Sequence, residues 1–129
     1  MLEANYTGKK KVEVRVNNYK VYTDMPIDFG GESSAPNPFE MFMASFLACQ
    51  AVFAMSFVEK NNMKKEDFSF RAEPVFDDKG LIKKMTTIVK IPSDFPTEKE
   101  ATFINVLKTC KVGKHLTFEK EILLERTLS

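Results

Sequence analysis

Apolar and polar residues alternate strictly at the start of the chain. Val12, Val14 and Val16 are separated by Glu13 and Arg15, the period of a sheet with one wet face. Asn17-Asn18 is a turn signal, and residues 19–23 resume an extended pattern, while residues 3–7 form a strand that pairs ahead of the Gly8-Lys9 turn. The first forty residues are therefore expected to form a β-meander of two or three strands and then a loop holding Gly30-Gly31 and Ser33-Ser34.

The period then changes. Asn37 is a good N-cap, Pro38 takes the first helical position and Glu40 falls three residues after the cap, which makes a capping box. Behind it runs an uncharged stretch from Met41 to Val58, so the pattern predicts a helix from Pro38 to about Lys60, ended by Asn61-Asn62. Phe68, Phe70 and Ala72 open a second strand region. Asp77-Asp78-Lys79-Gly80 reads as a hairpin connection, and Met85, Thr87, Val89 and Ile91 alternate on the return strand, closed by Pro92 and Pro96. Thr97 and Glu100 make a second capping box. Behind it Phe103, Ile104, Val106, Leu107 and Cys110 recur at helical spacing, with Gly113 as the stop or bend. Residues 118–128 read as a last strand with charged ends.

These elements make one α+β domain over residues 1–129, with antiparallel strands and segregated helices, and with no internal repeat. The first helix approaches the length that spans a bilayer. Ser45, Cys49, Gln50 and Ser56 interrupt it and no basic bias flanks it, so a wholly buried core helix is the better reading. A single chain of 129 residues has difficulty covering a helix apolar nearly all round, and a homodimer is expected.

Lysine and arginine number 19 against 18 acidic residues, a net charge of +1, so no single-sign field favours nucleic acid or an anionic membrane surface. The N-terminus lacks the basic-then-apolar pattern of a signal peptide, and two cysteines are too few for a disulfide framework. A reducing cytoplasm is the expected compartment. Glycine patterns for nucleotides and a serine nucleophile elbow are absent from the sequence.

Candidate chemistry rests on Cys49 and Cys110. Each lies in an apolar segment, and either thiol chemistry or plain space-filling accounts for a cysteine there. Their surroundings resemble the OsmC/Ohr family, named for osmotically inducible protein C and organic hydroperoxide resistance protein. The first motif of that family is matched by Pro36, Asn37, Pro38, Glu40, Ala44, Ala48 and Cys49, and the second, Cys-x-Val-x-x-x-Leu, by Cys110, Val112 and Leu116. The resemblance covers almost the whole chain in element order. It implies an OsmC-like fold in an intertwined homodimer, and a thiol-dependent peroxidase acting on organic hydroperoxides. Cys49 would attack the peroxide and become a sulfenic acid, Cys110 would condense with it into a disulfide, and a dithiol reductant (a small thiol or a lipoyl-type protein) would restore both. No metal or organic cofactor is implied. An OsmC-like small-molecule-binding or redox-sensing protein is the alternative.

A free cysteine is only a few per cent thiolate at neutral pH, and half-ionisation there needs about 2 kcal/mol of anion stabilisation. Apolar neighbours such as Phe46, Phe53 and Met55 work against it, and the helix dipole acts only over the first turn. A cation is required. The resemblance assigns this to an arginine from the N-terminal strands held by a glutamate. Only Arg15, Arg71 and Arg126 exist, and the loop where the family arginine sits reads Gly8-Lys9-Lys10. Arg15 is the candidate, on the solvent face of its strand, with a lysine as a substitute point charge. Glu40 is the candidate carboxylate. Yet the hydroperoxide-specific branch has its carboxylate one position earlier, at Phe39 here, and nine helical residues put Glu40 about 13 Å from Cys49. These departures place the chain nearer the general OsmC-like branch. His115, the only histidine, is read as a surface residue near the site, because a zinc site with Cys49 and Cys110 would lack closely spaced ligand pairs. Met41, Met43 and Met55 suit a deformable core or an apolar pocket for a hydroperoxide tail.

Overall fold

The computed structural model describes residues 1–128. The chain divides into two compact units, the first ending at Ala44 and the second beginning at Ser45.

In the first unit, β1 (Leu2–Gly8), β2 (Lys11–Val16) and β3 (Tyr19–Thr23) form an antiparallel meander in the order β1-β2-β3, the three strands read from the alternation. Val14 pairs with Ala4 on one side and Val21 on the other. The two-residue turn puts Asn17 at a φ of 56°, a conformation asparagine tolerates well. β1 is exposed along its whole length.

After β3 the chain folds around Asp24, which is fully buried. One carboxylate oxygen accepts the Met25 amide at 2.7 Å. The other accepts the Ser34 hydroxyl at 2.6 Å and the Ser34 and Glu32 amides at 3.1 and 3.2 Å. The Ser34 hydroxyl bond, with the three amide bonds behind it, outweighs burial and holds this carboxyl at a pKa of about 2. Gly31 is required here, since a Cβ would lie 1.9 Å from the Met25 carbonyl oxygen. The clamp delivers the chain to α1 (Pro38–Lys60), whose start is the capping box read from sequence. The Asn37 amide donates to Glu40 Oε1 at 2.9 Å, and the Glu40 amide donates to Asn37 Oδ1 at 2.8 Å.

The second unit holds most of α1, then β4 (Ser69–Phe76), β5 (Ile82–Ile91), α2 (Glu100–Lys108) and β6 (Glu119–Arg126). Asp77 Oδ1 accepts the Lys79 and Leu81 amides and closes the β4–β5 hairpin, with Gly80 at a φ of 78°. Pro74 is tolerated because β4 is an edge strand. The core gathers Ala54 and Val58 of α1, Val89 and Ile91 of β5, Phe103 and Leu107 of α2, and Phe95 and Ile122.

Four expectations need correction. The second sheet is mixed, because β6 runs parallel to β5. The connection between them carries α2, and such a crossover returns the chain in the direction it left, where a tight turn would reverse it. The second capping box does not form. Residues 97–99 make a 3₁₀ turn, and the Arg126 guanidinium takes both the Thr97 hydroxyl and the Glu100 carboxylate. Cys110 lies beyond α2, which ends at Lys108, and Gly113 sits in a separate 3₁₀ turn instead of stopping the helix. Finally, the chain does not bury α1 wholly. Phe46, Gln50, Ala54 and Val58, spaced by four, are sealed, while Val52 and Met55 stay exposed. By length and composition α1 could cross a membrane, but a stripe buried against its own chain is what a core helix shows.

Candidate functional site

The second unit brings Cys49 and Cys110, 61 positions apart in sequence, onto one tight turn. Cys49 is one residue from the buried stripe of α1, so its sulfur is part-buried, whereas Cys110 is fully buried. After α2 the chain turns sharply through residues 110–116. The Lys114 amide donates to the Cys110 carbonyl at 3.0 Å, and the His115 and Leu116 amides donate to the Val112 and Gly113 carbonyls. The amides of Val112 and Gly113 are left pointing at sulfur. Val112 donates to Cys49 Sγ at 3.4 Å and Gly113 donates to Cys110 Sγ at 3.3 Å.

Burial pushes the Cys110 thiol up from its ordinary range. The Gly113 amide opposes that rise. A hydrogen bond to Cys49 and the charge of Cys49 reinforce it, and the charge of Lys120 pulls weakly the other way. The Cys110 thiol is within hydrogen-bonding reach of Cys49. The packing beside the turn is aromatic. Phe46 packs edge-on against Phe118 with centroids 6.0 Å apart, and its ring also bounds the space beside Gly113.

Lys120 is a cation whose charge reaches Cys110, and nothing in the sequence marked it. Its Nζ donates to the Leu116 and Phe118 carbonyls at 2.8 and 3.3 Å and lies 5.8 Å from the centre of the Phe118 ring. In the sequence it looks like one of the charged residues at the end of the last strand. Gln50 lies next to Cys49. It is fully buried, and its Oε1 accepts the Thr87 hydroxyl at 2.6 Å.

Arg15 and Glu40 lie in the first unit with partners of their own. Arg15 is exposed on β2 with Glu13 4.0 Å away, and Glu13 also faces Lys20 and the Tyr22 hydroxyl. Glu40 accepts the Asn37 amide. His115 is exposed, with Nδ1 2.8 Å from the Lys111 carbonyl.

This arrangement supports two kinds of chemistry. Adjacent thiols, one reachable and one sealed, are the substrate pair for disulfide formation, and amide donors aimed at sulfur favour its anion.

The sequence model of a family described as OsmC-like protein matches residues 30–125. No curated protein matches the chain. Among solved structures, an OsmC-like protein from Mycoplasma pneumoniae superimposes with a TM-score of 0.75 at 13% identity, covering 99% of this chain and 95% of that one. An organic hydroperoxide resistance protein, OsmC, from Legionella pneumophila gives 0.63 at 18% identity, covering 99% and 96%. An organic hydroperoxide resistance protein from Elizabethkingia anophelis gives 0.64 at 17% identity, covering 100% and 96%. At these identities the likeness establishes the fold.

Proposed function

This chain belongs to the OsmC-like family, and from that membership we propose that it is a thiol-dependent peroxidase for organic hydroperoxides. The Cys49 thiolate attacks the terminal peroxide oxygen, the O–O bond breaks, and the alkoxide leaves and takes a proton to become an alcohol. Cys49 is then a sulfenic acid. The sulfur of Cys110 displaces its hydroxyl, which departs as water, and a disulfide forms. A dithiol (a small thiol or a lipoyl-type protein) reduces that disulfide and closes the cycle, so no metal or organic cofactor is needed.

The observation that carries this reading is the convergence of both sulfurs on the turn at residues 110–113. The rest of the proposal follows from the surface. Leu2, Tyr6 and Tyr19 on the first sheet and Val52 and Met55 on α1 are exposed, which supports a homodimer in which a second copy covers apolar surface. The cytoplasm, which keeps thiols reduced between turnovers, is the proposed compartment.

The test is consumption of an alkyl hydroperoxide in the presence of a dithiol. Cys49→Ser is expected to abolish it. Cys110→Ser is expected to permit one turnover and leave a sulfenic acid that dimedone traps. Undiminished consumption by Cys49→Ser overturns the proposal.

One observation favours a second reading, a small-molecule-binding protein. Val52, Phe53, Ser56, Phe57, Lys60 and Val106 line an open groove of about 400 Å³ along α1, and Phe53, Ser56 and Lys60 share the helical face of Cys49. Native mass spectrometry of the purified protein would show a retained ligand with unoxidised cysteines.

A further inference from the structure

We propose that the turn at residues 110–113 is an anion cradle for the Cys49 sulfur, in which the Val112 amide stabilises the thiolate and Gly113 is the positioning residue that keeps the turn close enough to do so. This rests on reading Cys49 as the reactive thiol and deepens that reading.

The geometry is specific. Two successive amides of one tight turn serve two different sulfurs, Val112 to Cys49 at 3.4 Å and Gly113 to Cys110 at 3.3 Å. A neutral thiol is a weak acceptor, and a thiolate is a strong one, so the Val112 bond gains most of its strength when Cys49 ionises. Fixed backbone dipoles provide this stabilisation without reorganising at the moment of reaction. Such a backbone donor acts without a side-chain cation.

Gly113 explains how the turn approaches so near. Its Cβ would sit 3.1 Å from Cys110 Sγ, 3.2 Å from the Lys108 carbonyl oxygen and 3.2 Å from the Phe46 ring. One of these three neighbours is backbone and another is a buried ring, so neither gives way easily. Any side chain at this position moves the turn, and the Val112 amide moves with it. The Gly113 amide serves Cys110 and the Val112 amide serves Cys49, so the effect of Gly113 on Cys49 passes through the turn.

The experiment measures alkylation of Cys49 in the reduced full chain by iodoacetamide at pH 7, with peptide mass mapping to assign the site. Val112 has a φ of −63°, the value proline imposes, so Val112→Pro removes the donor and keeps the local backbone angle. Val112→Ala keeps the donor and serves as the control for the lost side chain. Val112→Ala is expected to react at the wild-type rate, and Val112→Pro about tenfold more slowly, the scale of one lost hydrogen bond to a charged acceptor. Gly113→Ala, which retains every amide, is expected to slow the reaction in the same direction and stands in if Val112→Pro lacks the wild-type circular dichroism. Simple loosening of the fold would expose Cys49 and speed alkylation. The proposal falls if the folded variant reacts as fast as its control, or faster. Alkylation needs no peroxide, so a failure of the peroxidase reading would appear separately, as a wild-type protein that does not consume hydroperoxide.

Discussion

Oxidation of the sulfur pair should stabilise this protein strongly, and the size of the effect follows from where the two cysteines lie. A Cys49–Cys110 bond closes a loop of 61 positions, which on the chain-entropy account removes about 4 kcal/mol of disorder from the unfolded state. The native state adds little strain, because both sulfurs already lie against the same turn. A disulfide is also neutral, which suits the sealed surroundings of Cys110. For a chain of this length, about 4 kcal/mol corresponds to a rise of roughly 15 °C in the melting midpoint. The assay compares thermal melts of the dithiol-reduced protein and of protein treated with one equivalent of alkyl hydroperoxide. Both are run at one protein concentration, so that any dimerisation contributes equally. Intact mass confirms the loss of two hydrogens, and Cys49→Ser should show no rise. The difference should also widen with pH. Burial raises the folded-state pKa of Cys110 above its ordinary value near 9. Its contribution to the reduced protein is therefore complete below about pH 9 and is lost as pH rises toward the folded value, whereas the disulfide has no thiol to ionise. Equal midpoints for reduced protein and verified disulfide would refute the claim that the sulfurs are within bonding reach in the native state. A pH-independent gap would refute the account of Cys110.

Two further perturbations probe the scaffold, one in each unit. Asp24, with its carboxyl held at a pKa of about 2, adds stability that is full above about pH 4 and is lost as pH falls toward 2. Asp24→Asn should lower the melting midpoint at neutral pH and flatten its dependence between pH 4 and 2, and an unchanged acid limb would show that another carboxylate dominates there. Thr87→Val strands a buried Gln50 amide whose Nε2 already has no partner among the described residues, and should cost about 1–3 kcal/mol in urea unfolding. Combining it with Gln50→Met removes every polar atom of the pair and should restore stability to within about 1 kcal/mol of wild type. A double variant less stable than Thr87→Val alone would mean that the amide has a further partner.

Much of the fold was legible because its signals are local. The meander follows from alternation over a few residues, and the start of α1 follows from Asn37 and Glu40, which need only each other. The same local pattern at Thr97 and Glu100 failed because Arg126, at the end of β6, offers both side chains a charged partner. A competitor 26 or more positions away leaves no trace in a capping motif. The helical spacing that carried Cys110 into α2 failed in a related way, since that spacing continues past the point where the backbone leaves the helix.

By itself, the amino-acid order determined the succession of strands and helices, the two cysteine motifs and the resemblance they carry, because each is written in short stretches of the chain and in their order. Only the folded chain decided that β6 lies parallel to β5, that α1 buries a single stripe, that Lys120 brings a positive charge to bear on Cys110, and that two backbone amides meet two sulfurs. The strand direction, the stripe and the Val112 bond to Cys49 depend on contacts between segments far apart in sequence, and the approach of Lys120 to Cys110 depends on the path of the chain between them. Backbone amides are present at nearly every residue, so their aim is set by the path of the chain and by the missing side chain at Gly113.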